Sequence, residues 1–282
     1  MLMPIEIARM EEARQARAVV EVVPEFERIM GGAMTFLEPG SWANQACGIA
    51  LSGPVTNDEI DRFVTFYESR GVEPRAEVAQ FADPTLVAGL GKRGFGLRQF
   101  ETVLARLIDP SEDVMASMPG DWPTDNKGSE LVIERVDPSD EAMVLESLRV
   151  AMSGFMPEGY TPSAGEIEMH RKIVAHPHSD YLVAKFGGVV VGAGGAEYPR
   201  DAEIPVAVLF GVSVLNEFRR RGVQQALILH RVKRAQEKGA KVAVIHSLPG
   251  ASTDRNAMRL GFAPCYTKVV LAKRGEGLVP SP

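Results

Sequence analysis

The stretch VAVLFGVSVLNEFRRRG, Val206–Gly222, constrains this chain more than any other part of it. Up to Val214 it is nearly continuous apolar sequence rich in valine, the pattern of a strand covered on both faces. A turn through Leu215, Asn216, Glu217 and Phe218 then delivers Arg219, Arg220, Arg221 and Gly222 to the start of a helix. In that helix Val223, Ala226, Leu227 and Ala235 recur at roughly helical spacing until Gly239 supplies a stop. Such an arrangement holds anions. The N–H groups of a first helical turn lack partners, and the helix dipole adds partial positive charge. Three guanidinium groups add charge-assisted donors, each worth ~1.5–3 kcal/mol. The turn reads as the seat of a pyrophosphate.

Two familiar phosphate motifs do not fit. No glycine-rich loop ends in Lys-Ser or Lys-Thr, so a P-loop is excluded. Gly192-Ala193-Gly194-Gly195 is the nearest thing to a dinucleotide fingerprint, but it lies inside a valine-rich strand pattern with no helix after it. A bulge or a close approach of backbones is the better reading there. What remains, Arg219-Arg220-Arg221-Gly222-Val223-Gln224, resembles the acyl-CoA loop of the GCN5-related N-acetyltransferase (GNAT) superfamily, Arg/Gln-x-x-Gly-x-Gly/Ala. It departs from that pattern only at Gln224, where the family has a small residue.

A second signature of the same superfamily is similar to Ser252–Phe262, a short helix carrying Asn256 and ending at Gly261-Phe262. Thr253 suits its N-cap and Gly261 its stop. The resemblance implies that Asn256 contacts the pantetheine or phosphate arm of acyl-CoA. It also implies a tyrosine, as proton donor to the leaving thiolate, at the position that Ala257 occupies.

The chain carries a net charge of −6, unevenly divided. Residues 1–128 hold 12 basic and 20 acidic side chains, and residues 129–282 hold 19 and 17. Neither balance suits a nucleic-acid binder. Cys47 and Cys265 lie far apart without metal spacing, which points to a reducing compartment and no disulfide scaffold. No apolar run is long enough for a membrane span, and the acidic start is unlike a signal peptide, so the expected location is cytoplasmic. Proline, glycine and acid dominate the region from Asp109 to Gly128, so the expected domains are 1–110 and 129–282 with a linker at 111–128. Met115, Met118 and Trp122 give that linker something to pack.

The first half reads as a helix from Ile5 to about Arg28, interrupted at Pro24, then strands at Met34–Leu37 and Ala43–Leu51. A helix over Asn57–Arg70, a strand at Arg75–Gln80, a helix at Pro84–Arg93 and a long strand at Gly96–Leu107 follow. The second half opens with a strand at Leu131–Val136 and a helix capped by Ser139 that ends near Met152. A loop, Ser153–Thr161, separates it from a second helix over Ser163–Ala175. A hairpin turns at Gly187-Gly188 between strands Tyr181–Phe186 and Val189–Tyr198. Beyond the opening strand and helix come strands at Lys241–His246 and Cys265–Ala272. The order repeats between halves, so the fold class is α/β with a mixed sheet: two tandem GNAT-like domains. The amino-terminal one is degenerate, because Asn57, Asp58, Glu59 and Asp61 stand where the second half has arginines. Acids there favour the helix by ~0.3–1 kcal/mol each and repel a pyrophosphate.

The resemblance implies direct attack of an amine on the thioester of acetyl-CoA (or another acyl-CoA) held as co-substrate, with no metal. Cofactor-binding positions are then Val212, Ser213 and Val214 on the strand, the turn Arg219–Gln224, and Asn256. Candidate general bases are Glu197 and His246, and Tyr266 is the candidate proton donor. His176-Pro-His178 reads as a surface turn, His230 as a packing residue and Cys265 as buried and inert. The expected partner is a small-molecule amine, with no nucleic acid and no membrane; pairing into a homodimer stays open. The alternative is a non-catalytic acyl-CoA sensor or scaffold, which the missing tyrosine at Ala257 suggests.

Overall fold

In the computed structural model, which describes residues 2–201, 203 and 205–280, Pro4 stands at the start of the first helix, α1 (Pro4–Val22). Its ring presets φ, and its missing N–H would have had no partner there. Residues up to Arg28 do not extend this helix, contrary to the sequence reading. They form a hairpin of β1 (Glu25–Ile29) and β2 (Gly32–Phe36). Met30 and Gly31 at its tip have φ of 50° and 80°, the left-handed pair that a two-residue loop demands. The strand expected over Ala43–Leu51 shrinks to β3 (Gln45–Cys47), because Gly48 and Ala50 are left-handed (φ 66° and 60°) and end the extended run.

Next come α2 (Asn57–Glu68), β4 (Arg75–Ala79), α3 (Pro84–Lys92) and β5 (Gly96–Leu107), close to their expected places. They are followed by β6 (Val132–Arg135), α4 (Glu141–Met152), α5 (Ala164–Ala175), β7 (Ser179–Phe186), β8 (Val189–Glu197) and β9 (Val206–Val214). The chain closes with α6 (Val223–Glu237), β10 (Val242–Ser247), α7 (Ser252–Arg259) and β11 (Ala263–Ala272). The cap of α4 is Asp140, whose Oδ1 accepts the Met143 N–H at 3.1 Å. Ser139 is not the cap, since its N–H and hydroxyl both donate to Asp137.

Internal contacts divide the chain into two compact units, Met1–Thr102 with Cys265–Pro282, and Val103–Pro264. The sequence boundaries at 110 and 128 lie elsewhere for a physical reason. Leu104, Ile108 and Val114 are buried in the second unit's core with Leu209, Ile228 and Ile245, while β11 pairs antiparallel with β4 in the first. Apolar burial groups these segments, whereas charge balance and proline content report mainly on exposure.

The first unit orders its strands β1-β2-β3-β4-β11, antiparallel except for β3 beside β4. The second orders them β10-β9-β8-β7-β6, antiparallel except for β10 beside β9. Each unit therefore contains one parallel strand–helix–strand crossover, β3–α2–β4 in one and β9–α6–β10 in the other. The mixed α/β architecture in two copies is as expected.

Beneath the first unit's apolar core lies a buried ionic cluster. Lys268, fully enclosed, donates to Gln15 (2.7 Å) and Glu77 (2.9 Å) and pairs with Glu12 at 3.0 Å. Burial alone would lower its ammonium, but Glu12 and Glu77 outweigh burial and hold it well above the usual lysine range. Burial likewise would raise the Glu77 carboxyl, yet Lys268 and Arg75 hold it at about 2. Lys268→Met strands two buried carboxylates and is expected to cost about 3–5 kcal/mol in urea unfolding. Adding Glu77→Gln should restore part of that loss.

In the second unit His170 of α5 shares a 2.8 Å hydrogen bond with the Ser147 hydroxyl and sits edge-on to Tyr181 at 4.6 Å. Burial lowers it from 6.5 to about 4. The unfolded chain therefore binds this proton more readily, and stability is lost as pH falls from 6.5 toward 4, by up to about 1.4 kcal/mol per unit. His170→Gln should flatten that limb of a stability–pH curve; an unchanged slope would show that His170 does not carry it.

Candidate functional site

The site is built around β9. Its pairing with β8 shifts register: Val214 and Ser213 oppose Gly192 and Ala193, whereas Phe210 opposes Gly195. Gly194 therefore faces both Gly211 and Val212, and Gly211 has a φ of 58°. This is a β-bulge, which bends the strand and re-aims the residues after it. On the other edge β9 runs parallel to β10 from Val206 beside Val242 to Leu209 beside Ile245, and the pairing stops there. From Phe210 onward the β9 backbone has left its parallel neighbour, and Phe210, Gly211 and Val212 are only half-buried. Ser213 is buried, its hydroxyl 3.2 Å from that of Ser153. Val214 is buried in an apolar cluster with Val223 and Leu227.

A short 3-10 turn, Asn216–Phe218, leads from β9 to the arginines. Arg219 folds back so that its Nε donates to the Val214 carbonyl at 3.0 Å. Arg220 is left-handed with φ 61°, and Gly222, the residue that caps α6, has φ 80°. Arg221 donates to Asn126 Oδ1 at 2.6 Å, a partner 95 residues away that no local pattern marks. No side chain caps the start of α6, and Arg219 and Arg220 beside it are both exposed. Left-handed residues alternating with others make a concave run of backbone N–H groups suited to an anion.

Gln224 explains its own departure from a small residue. Its amide donates to the Thr253 hydroxyl at 2.9 Å and its carbonyl accepts from Asn256 at 2.6 Å, so it latches α6 to α7. Thr253 is accordingly not the N-cap of α7; Ala251 holds that place, with no side-chain cap bond. Asn256 also accepts from Arg259 at 3.2 Å. Ala257 is fully buried.

The candidate acid–base residues fall in different surroundings. Glu197 ends β8, almost wholly buried, and accepts from Arg200 at 3.0 Å. His246 lies half-buried on β10. Tyr266 belongs to the first unit, where its hydroxyl donates to Glu12 at 2.8 Å. Burial and the Glu12 charge drive that phenol far above its usual range. This placement does not support Tyr266 as a proton donor. His176 and His178 lie 5.9 Å apart between ring centres, with His176 near Arg200. No group that could hold a metal occurs among the described residues. His230 packs beside Trp122. Both cysteines are free, Cys47 enclosed and Cys265 half-buried.

The corresponding helix start in the first unit is closed to an anion by its own residues. Thr56 caps α2 by accepting the Glu59 N–H, and the Glu59 carboxylate accepts from the Thr56 N–H (2.8 Å) and hydroxyl (2.9 Å). These bonds hold Glu59 below the usual carboxylate range. Asp61 is engaged by Arg93 at 2.6 Å.

Residues 145–262 match the model of the Acetyltransferase (GNAT) family, which takes in β9, the arginine turn, α6, β10 and α7. No curated protein matches the chain. Among solved structures it is similar to a GCN5-related N-acetyltransferase from Kribbella flavida, 18% identical with a TM-score of 0.63, over 94% of this chain and 96% of that one. It is also similar to a tandem GNAT protein from the clavulanic acid biosynthesis pathway, 14% identical with a TM-score of 0.57, over 89% and 83% of the two chains. A GCN5-related N-acetyltransferase from Sphaerobacter thermophilus matches 72% of this chain and 60% of its own length, at 16% identity and a TM-score of 0.52. The GNAT fold, expected from the two motifs, and its tandem arrangement, expected from the repeated order of elements, are borne out.

A Cβ on Gly222 would meet Met118 Cε at 3.1 Å and Pro123 Cγ at 3.2 Å. Gly222→Ala should cost about 1–2 kcal/mol from left-handed strain, with crowding in addition. Gly239→Ala, equally left-handed at φ 78° but in open space, should cost only the strain. Equal thermal shifts for the two variants would show that the turn does not pack as described.

Proposed function

We propose that this chain, whose residues 145–262 match the GNAT family, moves an acetyl or other acyl group from acyl-CoA to a small-molecule amine. The observation that carries this reading is the uncapped, arginine-flanked start of α6 directly after a strand that has parted from its neighbour. The turn Arg219–Gln224 would hold the pyrophosphate through backbone N–H groups and guanidinium donors. The freed backbone of Val212, Ser213 and Val214 would pair with the pantetheine arm, with Asn256 alongside.

Acyl-CoA supplies an activated thioester, and the protein supplies position and polarisation. The amine nitrogen attacks the thioester carbonyl carbon, the C–S bond breaks, and the thiolate leaves and takes up a proton. A Val212 or Val214 N–H would polarise the carbonyl oxygen as charge develops there. Holding the two reactants together is worth up to ~7–11 kcal/mol in favourable cases. An aliphatic amine costs about 4 kcal/mol to deprotonate at neutral pH, which a general base would partly offset. Glu197 and His246, both in the second unit, are the candidates; Tyr266 is given no role.

The acceptor is proposed to be cationic, in keeping with the acidic first half. The exposed Phe155 and Tyr160 on the loop after α4 would shape its binding. No helix among the described residues is long and apolar enough to cross a membrane. Free cysteines suit the reducing cytoplasm proposed as its setting. The sensor reading keeps one observation in its favour, the buried Ala257 where the family places a tyrosine.

A thiol-release assay with acetyl-CoA and a panel of amines separates the two readings, since a sensor binds CoA saturably with no turnover. In the enzyme, Arg219→Ala with Arg221→Ala should raise the apparent KM for acetyl-CoA by about tenfold or more, with kcat little changed. An unchanged KM would show that the turn is not the phosphate site.

A further inference from the structure

Arg231 has no role in the chemistry just outlined, yet it is the bulkiest fully enclosed side chain among the described residues. It lies on the face of α6 that meets the sheet. Its Nε donates to the Leu227 carbonyl at 3.0 Å, and its Nη1 donates both to the Gly195 carbonyl at 2.9 Å and to the Phe210 carbonyl at 3.2 Å. No carboxylate is among its described partners, and Nη2 has no protein acceptor. Burial pulls the guanidinium down to about 10, so it stays charged at neutral pH. A buried cation without a counter-charge is a poor stabiliser, and an apolar side chain of similar size would serve a core as well or better. Its presence here calls for a reason other than stability.

The reason lies in what it bridges. Gly195 and Phe210 are the last pair of the β8–β9 ladder before the bulge at Gly211 and Val212. One nitrogen thus binds a carbonyl on each strand at the point where the register shifts. Gly194 makes room for the contact, since a Cβ there would lie 3.0 Å from Nη1; at Gly195 the missing side chain leaves space for the Phe210 ring, which a Cβ would meet at 2.4 Å. A guanidinium offers its donors in a fixed plane, whereas an ammonium is a single flexible point charge.

Resting on the acyl-CoA reading above, we infer that Arg231 is a positioning residue that sets where β9 bulges and thereby aims the Val212 and Val214 N–H groups at the thioester carbonyl. The adenine-nucleotide end of acyl-CoA binds elsewhere, at the arginine turn, and does not depend on this bridge.

The test compares two ligands on the full chain by calorimetry: acetyl-CoA, and phosphoadenosine diphosphate, the nucleotide end of CoA alone. In Arg231→Lys, acetyl-CoA should bind about tenfold more weakly, by loss of a charged hydrogen bond to the strands. Phosphoadenosine diphosphate should bind as it does to the wild type. Arg231→Met, which fills similar space without the donors, should give the same selective loss and serves if the lysine variant does not fold. Equal weakening of both ligands, or of neither, would overturn the inference and leave Arg231 a packing residue. A wild-type chain that binds neither ligand would overturn the acyl-CoA reading itself, and this inference with it.

Discussion

Two parallel strands that stop pairing partway along their length are the constraint on which the second unit depends. Beyond Leu209 and Ile245 the ladder between β9 and β10 ends, and backbone groups that would otherwise be satisfied within the sheet become available. Such groups are costly to leave unmade inside a protein, so the opening persists only because other features fix it. The bulge at Gly211 turns β9 away, the Gln224 amide ties α6 to α7, and Arg219 grips the Val214 carbonyl at the far end. In the first unit the corresponding parallel ladder is shorter still. There β3 and β4 share a single pair, Ala46 beside Ala76, and a cavity of about 570 Å³ lies against Gly48, Ala50 and Phe81.

What distinguishes the two units is how each uses charge. The second leaves a helix start uncapped and surrounds it with arginine, an arrangement that favours an incoming anion over internal stability. The first satisfies the equivalent helix start with Thr56 and Glu59 and places its charges indoors, where Lys268, Glu12 and Glu77 neutralise one another. A buried network of that kind contributes little to net stability but defines one arrangement of its members, because any other leaves a charge without a partner. The first unit thus carries the marks of a fixed scaffold and the second those of a receptive one.

Much of this was legible in the residues. The valine-rich run, the three arginines and Gly222 predict strand, turn and helix because each signal is local. Gly187-Gly188, with φ of 53° and 85°, and the Ser163 cap of α5 are local in the same sense. What escaped depends on distant partners. Glu25–Ile29 becomes a strand only because β2 is there to receive it. Gln224 looks like a defect in a motif until Thr253 and Asn256 are seen beside it. Tyr266 offers itself as an acid until Glu12, far away in sequence, accepts its hydrogen bond and holds the proton on the phenol. Arg231 sits in a helix among charged neighbours in sequence, and nothing local marks it as enclosed.

One consequence follows from where β11 resides. The strand that completes the first unit's sheet is made only after the whole of the second unit. On the ribosome the amino-terminal portion must therefore wait with β4 lacking its final neighbour and with Glu12 and Glu77 lacking Lys268. Non-local closure of this kind slows folding and lengthens the life of incomplete forms. The first unit therefore cannot complete its sheet until the second has been synthesised.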